Sequence, residues 1–176
     1  MSITGTSEKK TGRIRLGMVG GGQGAFIGAV HRLAARMDDH YEFVAGALSS
    51  DAARSKASGE ELGLAPDRIY GDFREMAKAE AKRKDGIEAV SIVTPNHMHF
   101  PAAKAFIEAG IHVICDKPLS LNLKEALALE KLLAKNKNVV FALTHNYSGY
   151  PMIRQARAMV AAGELGDIRV VQGEYP

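Results

Sequence analysis

Three short clusters in the 176-residue chain hold the residue types and spacings that could do chemistry. The first is Gly20-Gly21-Gly22-Gln23-Gly24-Ala25, directly after an apolar run at 14–19. It reads as Gly-x-Gly-x-x-Gly/Ala on Gly20, Gly22 and Ala25. The first glycine of such a turn permits the sharp bend, the second admits a pyrophosphate, and the small third lets helix and strand pack closely. Helical spacing of Phe26, Val30, Leu33 and Met37 starts a helix within the glycines. With Gln23 and Gly24 completing the turn, that helix offers free N–H groups and a partial positive charge to phosphates. The second cluster is Thr94-Pro95-Asn96-His97, and the third is Cys115-Asp116-Lys117-Pro118. Each of these ends another apolar run, so each belongs to a loop beyond a strand.

The elements that must position these clusters alternate. Strands are expected at 14–19, 41–48, 69–70, 89–93, 111–115 and 139–143, separated mostly by helices at 26–37, 52–63, 73–84, 101–109 and 123–136. Short parallel strands with crossover helices imply an α/β fold, a doubly wound parallel sheet of the Rossmann dinucleotide-binding type. With strand order 3-2-1-4-5-6, the switch point lies between the first and fourth strands. Thr94 to His97 then face the glycine turn, and Asp116-Lys117 sit one strand further along. A helix at 152–163 and a half-buried strand at 168–175 follow, the latter without a successor. This suggests the start of a second, truncated α+β domain. The expected division is a flexible head at 1–12, a dinucleotide domain at 13–145 and an incomplete second domain at 146–176.

The end of the second strand should discriminate between cofactors. An acidic residue there would hold a ribose 2′-hydroxyl and repel a 2′-phosphate. Ser49 and Ser50 occupy the position, with Arg54 one helical turn later, and these tolerate or welcome a phosphate. The reading favours NADP(H) and leaves NAD(H) open. Asp51 is expected to cap a helix.

Composition narrows the remaining choices. Apolar residues make up 46% of the chain and no apolar run approaches membrane-spanning length, so a membrane protein is not expected. The net charge of +3 comes from Lys9, Lys10, Arg13 and Arg15 against Glu8, while the other 161 residues carry 19 charges of each sign. A basic head on a neutral body does not point to nucleic acid. Cys115 is the lone cysteine, which excludes an intrachain disulfide and fits a reducing compartment, with the cytoplasm as the default.

Taken in order, these motifs resemble the Gfo/Idh/MocA oxidoreductases, a family that includes glucose–fructose oxidoreductase and inositol dehydrogenase. The resemblance rests on the glycine turn, Thr-Pro-Asn-His at 94–97, and Cys-Asp-Lys-Pro at 115–118, where Asp116 replaces the family's Glu. His145-Asn146-Tyr147 and Gly163-Glu-Leu-Gly-Asp-Ile168 extend it toward Pro176. It implies hydride transfer between a nicotinamide cofactor and a sugar, cyclitol or related polyol. Lys117 would hydrogen-bond near the reacting carbon and polarise its hydroxyl, since an ammonium stabilises a developing alkoxide. A second catalytic group, a histidine in a later Asp/Asn-x-x-x-His segment, is implied beyond residue 176, so the chain alone is not expected to turn over substrate. Homo-oligomers are implied once the second domain is complete.

Other candidates carry less. His145 and Tyr147 could meet substrate at the rim or merely anchor a loop, and Arg154 reads as a surface residue. His97 is expected near the nicotinamide ribose and His99 at a helix start; a metal on this pair lacks a third ligand. His112 and Cys115 read as structural. A non-catalytic NAD(P)-binding regulator of the same architecture is the alternative function. A methyltransferase is disfavoured by Ser49 and the Lys-Pro loop.

Overall fold

The computed structural model describes residues 12–174, which leaves nearly all of the expected head outside the described residues. Two compact units emerge, Met1–Thr144 and His145–Pro176. In the first, β1 (Ile14–Gly20), β2 (Tyr41–Ala47), β3 (Ala89–Val93), β4 (His112–Asp116) and β5 (Phe141–Thr144) form one parallel sheet. The strand order is β2-β1-β3-β4-β5. The crossovers are α1 (Phe26–Met37), α2 (Ala52–Glu61), α3 (Phe73–Glu80), α4 (His99–Glu108) and α5 (Leu123–Lys135).

Local chemistry explains where the helices begin. The Asp51 carboxylate accepts from the Arg54 N–H at 2.7 Å, as expected of a cap, and Asp72 accepts from the N–H groups of Arg74 and Glu75. At α5 the Asn122 side chain accepts from Glu125 N–H, while the Glu125 carboxylate reaches back to Leu121 N–H. Strand alternation then divides the core between the two faces of the sheet. Val19 joins a cluster with Met76 of α3, Phe106 and Ile107 of α4 and Leu129 of α5. Its neighbour Met18 points the other way, into a smaller cluster with Leu48, Leu64 and Val93 against Ile27 of α1.

Three expectations need correction. The strand at 69–70 is a single bridge from Ile69 to Gly46, with Tyr70 N–H donating to the Gly46 carbonyl at 2.8 Å. Its neighbours leave no length for a ladder: Arg68 turns inward to Glu80, and Asp72 already caps α3. The sheet therefore has five strands, and β3, β4 and β5 are the fourth to sixth of the expected order. In α1 the helical period holds but the face is reversed. Phe26 and Met37 are 82% and 76% exposed, Val30 and Leu33 are exposed too, and the buried side is Gly28.

The third correction falls in the second unit, where α6 (Pro151–Ala161) forms but residues 168–174 adopt no strand. A strand needs a ladder partner, and none pairs with this segment among the described residues. No helix among the described residues is long and apolar enough to cross a membrane.

One buried ion pair anchors the α3 side of the sheet. Arg68 Nε donates to Glu80 Oε1 at 3.2 Å and its Nη2 pairs with Oε2. The same carboxylate accepts from Tyr70 Oη at 2.8 Å and from Ile87 N–H at 3.0 Å. Burial and this bond to Glu80 raise the Tyr70 phenol well above its ordinary value. Glu80 thus satisfies four donors in the core, and removing it strands a buried guanidinium. Glu80→Ala should destabilise the fold by about 3–5 kcal/mol. Urea unfolding of the two proteins checks this, and a loss under about 1 kcal/mol, the scale of a surface pair, would contradict it.

Candidate active site

The register of the sheet levels the carboxyl ends of its strands. Gly20 pairs with Val93 between β1 and β3, Ile92 with Cys115 between β3 and β4, and Asp116 with Thr144 between β4 and β5. Thr94 therefore leaves the sheet beside the glycine turn, and Lys117 leaves it one strand away. At the switch point the two diverging loops leave a cleft of about 520 Å³. That volume lies within the range of small-molecule and cofactor sites.

The glycine turn is built almost entirely from backbone. Gly20 and Gly24 have φ of 79° and 78°, a region that favours glycine. A Cβ on Gly22 would lie 2.6 Å from Ser58 Oγ and 2.8 Å from the Leu48 carbonyl. The close contact of helix and strand is made by Gly28 against Gly21, where a Cβ on Gly28 would meet Gly21 Cα at 2.4 Å. Ala25, expected to serve that packing, is instead the exposed residue preceding α1 and lines the cleft. No side chain caps the first turn of α1, so its N–H groups are open to an anion.

Bonds from behind hold the turn in shape. Gly22 N–H donates to the Leu48 carbonyl at 3.1 Å, Gln23 N–H to Ser58 Oγ at 3.0 Å, and the Arg32 guanidinium to the Gly21 carbonyl at 2.8 Å. Burial lowers the Arg32 guanidinium from its usual value.

Gly20, Gly22, Gln23 and Ala25 line one wall of the cleft, with Ser49, Ser50 and Arg54 at the β2 end. Thr94, Pro95 and His97 line the other wall. Asn96 opens a short 3-10 turn, Asn96–Met98, outside the lining. Gly24 also lies beyond the lining of this cleft. Sequence reading missed Arg74, which faces the cleft while stacked 4.3 Å over the Phe73 ring. It also missed Ser58, a buried helix serine with no motif to announce it. Thr94 Oγ1 is buried without a hydrogen-bond partner. An orphaned hydroxyl beside a glycine cradle that a Cβ would fill fits a polar ligand such as a dinucleotide.

Asp116 ends β4 and Lys117 begins the loop after it, both outside the cleft lining, and the Lys117–Pro118 peptide bond is cis. Lys117 is exposed. Asp116 is half-buried and accepts from Thr144 Oγ1 at 2.7 Å. His31 of α1 stands 3.8 Å from Asp116 through Nε2 and bonds Ser91 Oγ through Nδ1 at 2.8 Å. This Ser-His-Asp series is no nucleophile relay, because Ser91 is buried in the middle strand of the sheet.

His97 and His99 occupy different settings. His97 is exposed at the cleft, whereas His99 is buried with both ring nitrogens on backbone carbonyls. His112 Nδ1 accepts from Val140 N–H, a bond between neighbouring chain segments. Burial pushes the Cys115 thiol up to about 12, which suits a core residue rather than a nucleophile. His145 and Tyr147 belong to the second unit. There the His145 carbonyl accepts from Ser148, and Tyr147 packs edge-on to Tyr150 at 5.6 Å.

Residues 14–156 match the Gfo/Idh/MocA oxidoreductase family, NAD-binding Rossmann fold. The chain belongs to that family. It is 63% identical to an oxidoreductase from Sinorhizobium meliloti of known structure, with a TM-score of 0.85 over 89% of this chain and 43% of that one. An inositol dehydrogenase homolog from Azotobacter vinelandii, complexed with NADH and myo-inositol, is 47% identical. That match has a TM-score of 0.86 over 90% of this chain and 42% of that one. The uncharacterized oxidoreductase YfiI of Bacillus subtilis (strain 168) is 44% identical over 92% of this chain and 41% of its own length. The chain thus spans about two-fifths of these relatives.

His31 gives the site loop a pH signature. Burial lowers its imidazole below the ordinary 6.5, with Asp116 pulling the other way. The unfolded chain therefore takes up this proton at higher pH than the folded one. The resulting stability is present above about pH 6.5 and lost as pH falls toward the folded value. Urea midpoints measured from neutral into mildly acidic solution should fall less steeply for His31→Gln than for the wild type. Parallel curves would contradict this.

Proposed function

We propose that the polypeptide carrying this chain is an NAD(P)-dependent oxidoreductase that moves a hydride between a nicotinamide cofactor and a sugar, cyclitol or related polyol. One observation carries the reading. A cleft with a glycine wall opens at the switch point beside the buried, unpartnered Thr94 hydroxyl, and Lys117 begins the loop of the neighbouring strand. The relative complexed with NADH and myo-inositol supports it.

In this reading the uncapped N–H groups at the start of α1 bind the pyrophosphate beside the glycine turn, and the Thr94 to His97 loop borders the nicotinamide end. The bound dinucleotide supplies the hydride acceptor or donor. Lys117 donates a hydrogen bond to the reacting hydroxyl oxygen and steadies negative charge that develops there. Residues 13–145 serve as the cofactor domain, and 146–176 begin a substrate and oligomerisation domain. The cytoplasm is the expected setting. Replacing Lys117 with Ala should spare NADH binding, and in the complete polypeptide cut polyol oxidation at least about a hundredfold. Undiminished turnover would remove Lys117 from the mechanism, and cofactor binding without any turnover by the wild type would favour a regulator.

At the ribose end, Ser49 and Ser50 present no negative charge, and Arg54 and Arg74 bring two guanidiniums to the cleft. The site is therefore read as admitting NADPH as well as NADH. Fluorescence titration of the chain should give affinities within about tenfold of each other. Arg54→Ala should weaken NADPH by about tenfold, the scale of a charge-assisted hydrogen bond, and leave NADH nearly unchanged. A hundredfold preference for NADH would overturn this reading of the ribose end.

A further inference from the structure

His99 ties the two loops together. It opens α4, is 1% exposed, and has no place in the cleft lining. Its Nε2 lies 3.0 Å from the carbonyl of Thr94, the first residue after β3. Its Nδ1 lies 2.6 Å from the carbonyl of Pro118, the residue after Lys117. Both carbonyls lie within hydrogen-bond distance of the ring. We infer that His99 is a positioning residue whose ring, lodged between these two carbonyls, holds the Thr94 and Lys117 loops at a fixed separation.

The consequence reaches two functions from one buried ring. Thr94 lines the cleft and carries the buried, unpartnered hydroxyl, and its methyl lies against Gly20, where a Cβ would meet it at 3.0 Å. Pulling on the Thr94 carbonyl therefore sets the orientation of the cleft wall. Pulling on the Pro118 carbonyl sets where Lys117 leaves the sheet. Asp116, on the other side of Lys117, is held separately by Thr144 and stands near His31. Lys117 thus sits between two anchored neighbours, and His99 connects one of them to the cofactor loop. The functional meaning of this tie rests on the reading given above for Thr94 and Lys117.

The test uses the 176-residue chain at neutral pH with ¹⁵N-labelled backbone. His99→Phe keeps a ring and loses both nitrogens, so it should weaken NADH by about tenfold and shift the Lys117 amide resonance. His99→Gln, whose amide nitrogen carries two N–H groups, should stay within about threefold of wild type and shift that resonance less. A Phe variant that behaves as wild type would overturn the inference. So would Gln and Phe variants impaired alike, which would mean that hydrogen bonding to the two carbonyls does not carry the tie. Failure of the wild type to bind NADH would sink the cofactor reading instead, leaving the Lys117 resonance in the two variants to decide the tie.

Discussion

The parallel pairing of β1 with β3 is the constraint on which the rest of the unit depends. It sets Gly20 level with Val93, so the chain must leave β1 toward β2 on one side and return as β3 on the other. Loops that diverge from neighbouring strands cannot cover the ground between them, and a cleft is the result. The same pairing explains why the turn is glycine. It must bend with positive φ at Gly20, Gly21 and Gly24, and it must let α1 press its Gly28 backbone onto Gly21. A side chain at Gly21 or Gly28 would lift the helix from the sheet, and one at Gly20 would press on Thr94.

The charges around this cleft are arranged by what they are already bonded to. Asp51 is spent on the start of α2, Asp72 on the start of α3, and Glu61 accepts from the Gln23 amide at 2.8 Å. Arg32 is turned behind the glycines onto a carbonyl. The open surface that remains is N–H groups, hydroxyls and the Arg54 guanidinium, with Arg74 paired to Asp72 at 3.3 Å. That balance favours a polyanion, and it comes from committing each acidic group to a helix start or an amide.

Sequence pattern made the site legible for a physical reason. Glycine spacing, Thr-Pro-Asn-His and Asp-Lys-Pro all lie at strand ends, where backbone conformation restricts residue type. The elements were legible too, because period alone separates strand from helix. What period could not supply was a helix face, as α1 shows. Phe26, Val30, Leu33 and Met37 share one side, yet that side points away from the sheet, since Gly28 must face Gly21. The two-residue segment at 69–70 misled in the opposite way. It has strand-like residues but is bounded by Arg68, drawn into the core by Glu80, and by the α3 cap. Arg74 and Ser58 escaped notice, and His99 was read only as a helix start, because their roles depend on contacts between segments distant in sequence.

His31 and Ser91 raise a question of cost. A hydroxyl buried in the middle of a parallel sheet carries a desolvation penalty of about 1–3 kcal/mol if left unpaired. A valine or alanine there would pack without any penalty. Ser91 instead bonds His31, His31 stands against Asp116, and Asp116 accepts from Thr144. Each polar group is satisfied by the next, and the series ends on the residue before Lys117. An apolar core would serve the sheet as well, but it could not hold a carboxylate at its edge. This buried polar series thus ends where one loop must be held still.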